Sequence, residues 1–584
     1  MTAEQTKIAE ESHVKAPWLN VYGVVPPHLD YPDCTMYEAV ERCAGTYPNH
    51  TAYVFMGRKT TYRAMAAEID LCARALKATG VRPGDRITMA MPNCPQAVIM
   101  FYAINLVGAT ANMIHPLSSE KEIEFYLKES GSIFAVTLDQ FYHKFEAIRQ
   151  NVTLDNIILA SIPDALSKPV RVGYMLTEGR KQAKIPKDAP VLRWNEFLRR
   201  GRGYHWTYRV ERRAGDEAVI LYSGGTTGVT KGIQLTNLNF NALGKQIIAT
   251  NPMFRPGDKM LAVMPMFHGF GLGVSIHSML VSGGCCILVP RFTPDSYAKL
   301  LLKYRCNLIA GVPTLYEALL RLSKMKNADL SCLKGVYSGG DSLSVELKKR
   351  FDQFLFDHHA TIQVREGYGL TECVTASCLT PYHISREGSI GIPFPDTYYK
   401  IVEHGTQKEV PYGTEGEICL SGPTVMMGYL HHPEETAQTL QTHEDGLAWV
   451  HTGDLGYMDP DGFVYFRQRL KRMIVTSGYN VYPSQMENIL DAHELVQMSC
   501  VIGVPDPLKM QKVKAFVMLK PGVPANEETK AVLMAYIRKN VAKYALPYDI
   551  EFRAELPKTL VGKVAYRVLE EEELKKLSET AQEQ

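Results

Sequence analysis

Short apolar runs alternate with longer amphipathic or apolar segments along most of the chain. Residues 87–91 form an apolar, partly β-branched run that predicts a buried strand, and residues 94–105 have the length and apolar content of a following helix. Strand-sized apolar runs recur at residues 132–137, 157–159 and 218–222. Because parallel strands need helical crossovers, this alternation favours a parallel or mixed sheet with helices on both faces. We therefore predict an α/β fold.

The strand pattern continues after one interruption. Residues 164–208 are basic and loop-rich and predict an excursion from the sheet, whereas residues 259–264, 308–312 and 336–337 resume the series of strands. Residues 388–466 are rich in glycine and more β-like, which predicts a β-rich subdomain.

The pattern changes after the basic cluster at residues 467–472. Helical spacing at residues 484–493 and 527–541 flanks a strand-like run at residues 515–519, and the charged tail at residues 569–584 has a helical composition. This part of the chain predicts a separate, compact α+β unit.

A loop rich in glycine and hydroxyl residues follows the predicted strand at residues 218–222 and precedes a helix that Thr236 and Asn237 are placed to cap. Its glycines permit positive φ, so backbone N–H groups can turn toward an anion, and its hydroxyl groups and lysine add donors and positive charge. The candidate phosphate-binding residues are Ser223, Gly224, Gly225, Thr226, Thr227, Gly228 and Lys231. The loop is not a Walker A motif, because a threonine precedes Lys231 and a glycine follows it. Taken alone, it is equally consistent with a surface turn.

Composition narrows the function classes. Apolar residues make up 46% of the 584 residues and charged residues 22%, as in ordinary globular proteins, and the net charge of +2 argues against a nucleic-acid partner. Twelve cysteines without CxxC spacing predict reduced thiols in a cytoplasmic protein and no zinc site. Two long apolar stretches, residues 97–114 and 261–290, are interrupted by polar, glycine or proline residues and predict buried core instead of membrane spans.

Five further motifs follow the loop. They are Tyr-Gly-Leu-Thr-Glu at residues 368–372, His-Thr-Gly-Asp at 451–454, Arg-Leu-Lys at 469–471, Ser-Gly-Tyr-Asn-Val-Tyr-Pro at 477–483 and Pro-Lys-Thr-Leu-Val-Gly-Lys at 557–563. In this order they resemble the adenylate-forming superfamily of acyl-CoA synthetases, peptide-synthetase adenylation domains and luciferases. Within it, the chain is most similar to bacterial long-chain fatty-acid–CoA ligases.

The resemblance implies a two-step ligase that uses ATP, Mg²⁺ and coenzyme A. A carboxylate, here that of a fatty acid, attacks the α-phosphorus of ATP to form an acyl-adenylate and pyrophosphate, and the thiol of CoA then displaces AMP. The resemblance also implies a large N-terminal domain at residues 1–468, a hinge at 469–473 and a small mobile C-terminal domain at 474–584.

The matched positions imply roles at the reacting atoms. Lys563 would bridge the substrate carboxylate and the α-phosphate, where negative charge develops. Thr371 would donate to the α-phosphate, and Glu372 would bind Mg²⁺, which prefers oxygen ligands. Tyr368, followed by Gly369, would stack on adenine.

Other matched positions imply contacts with the sugar and with CoA. Asp454 would accept hydrogen bonds from both ribose hydroxyls, and Arg469 would reach the same sugar. Lys471 matches the hinge about which the small domain rotates after adenylation. Gly478 and Tyr479 would then help to form the CoA channel.

The expected acyl pocket draws on separate segments. His268 would border the pocket, while Gly339 and Gly340 would leave room for an acyl chain; Asp341 follows them where a small or apolar residue is more usual. Without the resemblance to the family, each of these residues could equally have a purely structural role, for example as a histidine packed in the core or as a turn residue.

The chain departs from the family pattern at four positions. Gly224 stands where a second hydroxyl residue is usual, Gln468 where Gly or Asp is common, and Arg472 where an acidic residue is common; Asp341 is the fourth. Three alternatives therefore stay open: an aryl- or cinnamoyl-type CoA ligase, an acyl-AMP ligase that loads a carrier protein, and a silent acyl- or nucleotide-binding protein. Retention of Lys563 argues against the last. A long acyl substrate would imply transient contact with membranes.

Overall fold

The computed structural model describes residues 14–177, 185–186, 188–222, 230–476, 479–506, 508–559 and 562–582. Two large sheets, parallel in their centres, form the first part of the chain, a smaller antiparallel sheet follows, and a fourth sheet belongs to the C-terminal part. This is the α/β architecture, with a β-rich subdomain and a small α+β domain, that the hydrophobic pattern predicts.

The first sheet has a parallel centre with antiparallel strands at its edges. Its strands, in spatial order, are Ile392–Pro393, Cys378–Leu379, Val364–Tyr368, Gly335–Ser338, Leu308–Gly311, Lys259–Ala262, Cys285–Leu288, Thr51–Phe55 and Arg58–Thr61. All four residues of Cys285–Leu288 are buried, as expected for a strand covered on both faces.

The second sheet is mostly parallel and carries the segment that precedes the glycine-rich loop. Its strands, in spatial order, are Gly428–Tyr429, Gly232–Thr236, Glu217–Tyr222, Thr110–Met113, Arg86–Ala90, Phe134–Leu138, Asn156–Ala160 and Leu192–Arg193. The helix Pro95–Leu106 is buried along its whole length, which explains its lack of a polar face.

Helices cover both sheets. They are Met36–Thr46, Tyr62–Ala78, Pro95–Leu106, Glu120–Ser130, Tyr142–Ala147, Lys168–Leu176, Trp194–Arg202, Asn237–Ala249, Ser278–Leu280, Pro294–Tyr304, Pro313–Leu320 and Val345–Asp357. A π-helix at Phe270–His277 runs directly into Ser278–Leu280. Thr236 caps Asn237–Ala249 through a reciprocal capping box with Asn239, so this helix begins where the sequence predicts.

The third sheet is antiparallel and begins after Ile392–Pro393. It consists of Tyr398–Val402, Gly416–Ser421, Ala448–Met458, Leu440–Thr442 and Val464–Arg469, with the helix Pro433–Thr439 beside it. Trp18, from the aromatic lead-in, is 1% exposed and packs in the core of this sheet.

The chain passes through the turn Leu470–Arg472 into the fourth sheet. Its strands are Tyr479–Val481, Ile474–Thr476, Met510–Leu519, Val496–Asp506 and Asp549–Phe552, and its helices are Pro483–Asp491, Glu527–Asn540 and Tyr566–Gln582. Buried Lys514 lies 2.8 Å from the carboxylates of both Glu551 and Glu573, which ties the last helix to the sheet. The hairpin that carries Lys563 is therefore anchored on its C-terminal side.

The predicted α/β fold class is confirmed, and one local expectation is wrong. Residues 164–208 include two helices, Lys168–Leu176 and Trp194–Arg202. Trp194, Phe197 and Gly201 are buried at helical spacing against the helix Tyr62–Ala78. Their apolar face is obscured in the sequence by the arginines of the outer face. Among the described residues, no helix has the length and apolar character needed to cross a bilayer.

Candidate active site

The motif at residues 368–372 begins at the C-terminal end of the strand Val364–Tyr368 and continues into the turn Thr371–Cys373. A Cβ atom at Gly369 would lie 2.4 Å from the carbonyl oxygen of Thr375, so only glycine fits at this position. Thr371 and Glu372 are both partly exposed. The close approach at Gly369 thus directs a hydroxyl group and a carboxylate to the open edge of the sheet.

Glu372 is oriented by a distant strand. The hydroxyl of Tyr429 donates to Oε1 of Glu372 at 2.8 Å, and the backbone N–H of Met426 donates to the Glu372 carbonyl, also at 2.8 Å. Lys231 lies 5.1 Å from the centre of the Tyr429 ring and 3.5 Å from the carboxylate of Glu435. Tyr429 therefore contacts both the lysine that follows the glycine-rich loop, over its ring, and the candidate metal ligand, through its hydroxyl.

A buried acid lies beside the motif. Asp454 is 1% exposed, and its Oδ2 accepts a 2.6 Å hydrogen bond from the hydroxyl of Tyr368. The strands place Arg469 directly opposite Asp454, with 3.2 Å between Nε and Oδ1. Burial raises the pKa of Asp454, and the Arg469 guanidinium opposes that shift. Apart from its ion pair with Arg469, Oδ1 of Asp454 has no hydrogen bond within the described part of the chain, so this buried oxygen can still accept a donor from outside.

The strand that carries Asp454 is supported by residues that the sequence does not single out. Glu417 accepts the backbone N–H of Gly453 at 2.9 Å and contacts Nδ1 of His451 at 3.2 Å. Nε2 of His451 is 2.9 Å from Nε2 of His443. Because Glu417 is 34 residues from His451 and 36 from Gly453, only the three-dimensional structure reveals it.

Lys563 enters the same region from the small domain. The hydroxyl of Thr314 donates to the carbonyl oxygen of Gly562 at 2.9 Å, so the hairpin is docked on the large domain. Gly340 has a φ of +83°, and a Cβ there would lie 3.3 Å from Cε and 3.8 Å from Nζ of Lys563. The glycine therefore leaves space for the lysine side chain and supplies a left-handed backbone conformation.

The charge on Lys563 is set by opposing influences. Burial lowers the pKa of Lys563, nearby Asp341 and Asp454 raise it, and Arg469 lowers it. The structure thus brings Lys563 into electrostatic contact with the residues predicted to bind the nucleotide. Burial, with a contribution from Lys563, lowers the pKa of His268 to about 3, so its imidazole is neutral.

The predicted acyl-pocket residues lie on the first sheet and the π-helix. Nδ1 of His268 accepts the backbone N–H of Phe270 at 3.1 Å, which fixes the ring at the start of the π-helix. A Cβ at Gly339 would lie 3.2 Å from the Gly367 carbonyl oxygen and 3.8 Å from the Phe270 ring. His268, Gly339 and Gly340 thus border one region, and Asp341 adjoins it on the side of the small domain.

Sequence reasoning missed a second buried acid here. Glu366 lies in the middle of the strand Val364–Tyr368, opposite Ser338, and its Oε1 accepts the backbone N–H of Leu343 at 3.4 Å. Burial raises the pKa of Glu366 to about 7. A carboxyl that is partly protonated near neutral pH, close to Gly339 and Gly340, marks a candidate functional residue. Its raised pKa results from burial, which the sequence does not show.

The remaining predicted residues fall elsewhere. Lys471 lies in the turn between the third and fourth sheets and is exposed. Tyr479 is 56% exposed and stacks on Tyr544 at 4.5 Å between ring centres. Some predicted residues lie outside the part of the chain that the structure describes: Ser223, Gly224, Gly225, Thr226, Thr227, Gly228 and Gly478.

The donor set fits Mg²⁺ better than a softer metal. Tyr429 occupies one oxygen of Glu372, and the other oxygen and the Thr371 hydroxyl are hard ligands. The described residues include no group of three or more His, Cys, Asp or Glu side chains that would enclose a metal. Mg²⁺ needs no such cage, because it binds one or two carboxylates together with water and substrate phosphates.

Comparison with known protein families gives two matches that together cover most of the chain. Residues 40–430 match the model of the AMP-binding enzyme family, and residues 485–563 match the model of the AMP-binding enzyme C-terminal domain. The second match ends at Lys563.

Individual proteins resemble the chain over nearly its whole length. A long-chain-fatty-acid–CoA ligase of Bacillus subtilis (strain 168) is 36% identical over 95% of this chain and 98% of its own. The anthranilate CoA ligase AuaEII, solved in complex with anthranoyl-AMP, has a TM-score of 0.79 at 26% identity, covering 93% of this chain and 97% of that one. ATP-bound MatB from Rhodopseudomonas palustris has a TM-score of 0.79 at 25% identity, and the match covers 92% of this chain and 99% of MatB.

Proposed function

The chain belongs to the AMP-binding enzyme family, and from that membership we propose that it is an ATP-dependent acyl-CoA ligase whose substrate is a long-chain fatty acid. One observation supports the catalytic assignment above the others. Lys563, on the small domain, lies beside Gly340 and within electrostatic reach of Asp454, on the large domain, and of Arg469, at the start of the hinge. This arrangement suits the adenylation step, in which two anions must be brought together.

In the proposed adenylation step, Lys563 stabilises the charge that develops between the acid and the α-phosphate. Oδ1 of Asp454, which contacts Arg469 but has no hydrogen bond among the described residues, accepts a ribose hydroxyl. Arg469 approaches the same sugar, and Tyr368 stacks on adenine while it orients Asp454. Holding nucleotide and acid in line replaces a bimolecular encounter by a positioned reaction. Mg²⁺, bound through Glu372 and the phosphates, would supply neutralising positive charge, and Thr371 would donate to the α-phosphate.

We propose that the second step uses a different orientation of the small domain. In the described orientation Lys563 lies at the nucleotide residues while Tyr479 is exposed. Rotation about residues 469–473, including Lys471, would withdraw Lys563 and bring the segment with Gly478 and Tyr479 to the acyl-adenylate. One site would then serve both half-reactions. His268, neutral through burial, would line the path instead of acting as a base.

The substrate proposal is tested by AMP release with a panel of acids from acetate to oleate, together with coumarate, each with and without CoA. We expect CoA-dependent AMP release that is greatest for the long-chain acids. A maximum on coumarate or another ring acid would favour the aryl-type ligase, for which the structural likeness to the anthranilate ligase is the supporting observation. AMP release that does not depend on CoA would favour loading of a carrier protein, and no adenylation of any acid would favour a binding protein.

We further propose that the protein acts in the cytoplasm and meets membranes through the outer face of the helix Trp194–Arg202. Residues 193–213 contain seven arginines and two glutamates and so have a net charge of +5. The net charge of the whole chain is only +2. Trp206 is 72% exposed and contacts Tyr204 at 5.4 Å between ring centres. Arginines beside exposed aromatic rings suit an anionic bilayer surface, where a long-chain acid is found.

Charge reversal tests this surface. The double variant Arg199→Glu, Arg202→Glu should bind phosphatidylglycerol vesicles at least about tenfold more weakly, because each basic residue near an anionic surface contributes about 1 kcal/mol. Co-sedimentation gives the affinity, with phosphatidylcholine vesicles and the exposed-lysine variant Lys326→Glu as controls. Activity on water-soluble octanoate should not change. Equal vesicle binding by the double variant and the parent would refute the surface.

A further inference from the structure

Two neighbouring strands of the first sheet end at the junction with the small domain. Leu308–Gly311 and Gly335–Ser338 pair in parallel, so their carboxyl ends lie side by side. The backbone N–H of Gly339 donates to the carbonyl oxygen of Gly311 at 3.1 Å, which holds together the two segments that follow the strands. These adjoining segments form the surface of the large domain that the hairpin at residues 557–565 meets.

The hairpin approaches this surface by its backbone. Gly562 has a φ of +86°, and a Cβ added there would lie 3.5 Å from Cγ2 of Val312 and 3.9 Å from the hydroxyl oxygen of Thr314. The Thr314 hydroxyl donates to the carbonyl oxygen of Gly562 at 2.9 Å. A Cβ added at Gly340 would lie 3.6 Å from Cγ1 of Val312 and 3.3 Å from Cε of Lys563. The backbone of Gly562 and the side chain of Lys563 thus lie against the ends of both strands.

Hydrogen bonds within the hairpin fix its shape. The backbone N–H of Thr559 donates to the carbonyl oxygen of Lys563 at 2.7 Å, and the Thr559 hydroxyl accepts the backbone N–H of Lys563 at 3.1 Å. The backbone N–H of Gly562 donates to the Thr559 carbonyl oxygen at 2.9 Å. Within the described part of the chain, the contact with Thr314 is the one hydrogen bond that joins residues 557–565 to the large domain. Since Gly562 directly precedes Lys563, that bond fixes the point from which the lysine side chain extends.

We propose that Thr314 is a positioning residue of the adenylation step. Its hydroxyl holds the carbonyl oxygen of Gly562, and through it Lys563, in the orientation in which the lysine lies at the nucleotide residues. Thr314 lies in the first turn of the helix Pro313–Leu320 and so belongs to the large domain, whereas Gly562 belongs to the small domain. Rotation of the small domain would break the hydrogen bond, so the bond stabilises one orientation only. This role rests on the proposed ligase function.

The test is Thr314→Val in the full chain, because valine has nearly the shape of threonine but no donor. Acid-dependent pyrophosphate exchange should fall about three- to tenfold, the range that corresponds to one hydrogen bond. The loss should lie in kcat, with KM for ATP unchanged, since Thr314 holds the hairpin and not the nucleotide. Thioester formation from supplied acyl-AMP and CoA should stay at the parental rate, because that step uses the other orientation of the small domain.

Two further variants make the test specific. Thr314→Ser keeps the donor and should restore exchange to near the parental rate. Thr406→Val removes a hydrogen bond of the same kind away from the junction, from an exposed hydroxyl to the Glu403 carbonyl oxygen at 2.8 Å, and should behave as the parent.

Four outcomes would overturn the positioning role: parental exchange in Thr314→Val, equal loss of both half-reactions, a loss carried by KM for ATP, or the same loss in Thr314→Ser. A parent enzyme that shows no exchange with any acid would instead refute the proposed function.

Discussion

Substitution of Lys563 by alanine should reduce adenylation by at least about 10²–10³-fold, the loss that follows removal of one group that stabilises transition-state charge. The lysine lies beside Gly340 and within electrostatic reach of Asp454 and Arg469 in the docked orientation. If the small domain turns away before the thiol attacks, the second half-reaction should not need this side chain. Pyrophosphate exchange measures the first step, and CoA thioester formation from supplied acyl-AMP measures the second.

The matched control is Lys558→Ala. Lys558 is exposed and pairs with Val564 in the same hairpin, so its removal alters the local charge without altering the group at Gly340. We expect near-parental rates in both half-reactions for this variant. If Lys563→Ala lost both half-reactions equally and also unfolded at a lower temperature, the lysine would have a structural role and the catalytic assignment would be wrong.

Much of the fold could be predicted because burial on both faces leaves a simple signature in the sequence. The prediction for residues 87–91 and 94–105 differs from the observed Arg86–Ala90 and Pro95–Leu106 by one residue at each end. Strand and helix are nearly all apolar there, and a proline marks the start of the helix. In contrast, Trp194–Arg202 was missed, because its narrow apolar face lies among arginines.

Some residues of the candidate site could likewise be predicted from the sequence, whereas others could not. Lys563, Glu372 and Asp454 could be chosen because each lies in a contiguous motif, although their roles stay predictions. The partners that orient them come from distant strands: Tyr429 contacts Glu372 across 57 residues, and Glu417 contacts Gly453 across 36. A short sequence motif does not predict such partners, because these contacts depend on how the third sheet packs against the first two.

The surroundings of Asp341 were equally hidden. From the sequence it adjoins two glycines of the expected acyl pocket, whereas in the structure a Cβ at the preceding Gly340 would lie 3.3 Å from Cε of Lys563 of the small domain. Which face of a junction a side chain meets depends on the relative placement of two domains. No pattern within either domain encodes that placement directly.

Substitution of Asp454 by asparagine should lower kcat/KM for ATP by about 10–100-fold, chiefly through KM, since a hydrogen bond to a charged group contributes about 1.5–3 kcal/mol. Asparagine retains the volume of the buried side chain but removes the negative charge opposite Arg469 and replaces one acceptor by a donor. Tyr368 then loses its charged partner, and the ribose loses one of two acceptors. Initial rates at varied ATP and saturating acid and CoA give the separation of KM from kcat.

Asp461→Asn provides the comparison for Asp454→Asn, because Asp461 is a 60% exposed acid of the same β-rich region that pairs with Arg386. Its kinetics should match those of the parent. Thermal unfolding of both variants separates binding from folding: Arg469 is 44% exposed, so water can solvate the guanidinium that Asp454→Asn leaves without a carboxylate, and the loss of stability should be small. A fall in kcat with KM for ATP unchanged would argue against the ribose assignment, since Asp454 would then act on the reacting atoms and not on the bound sugar.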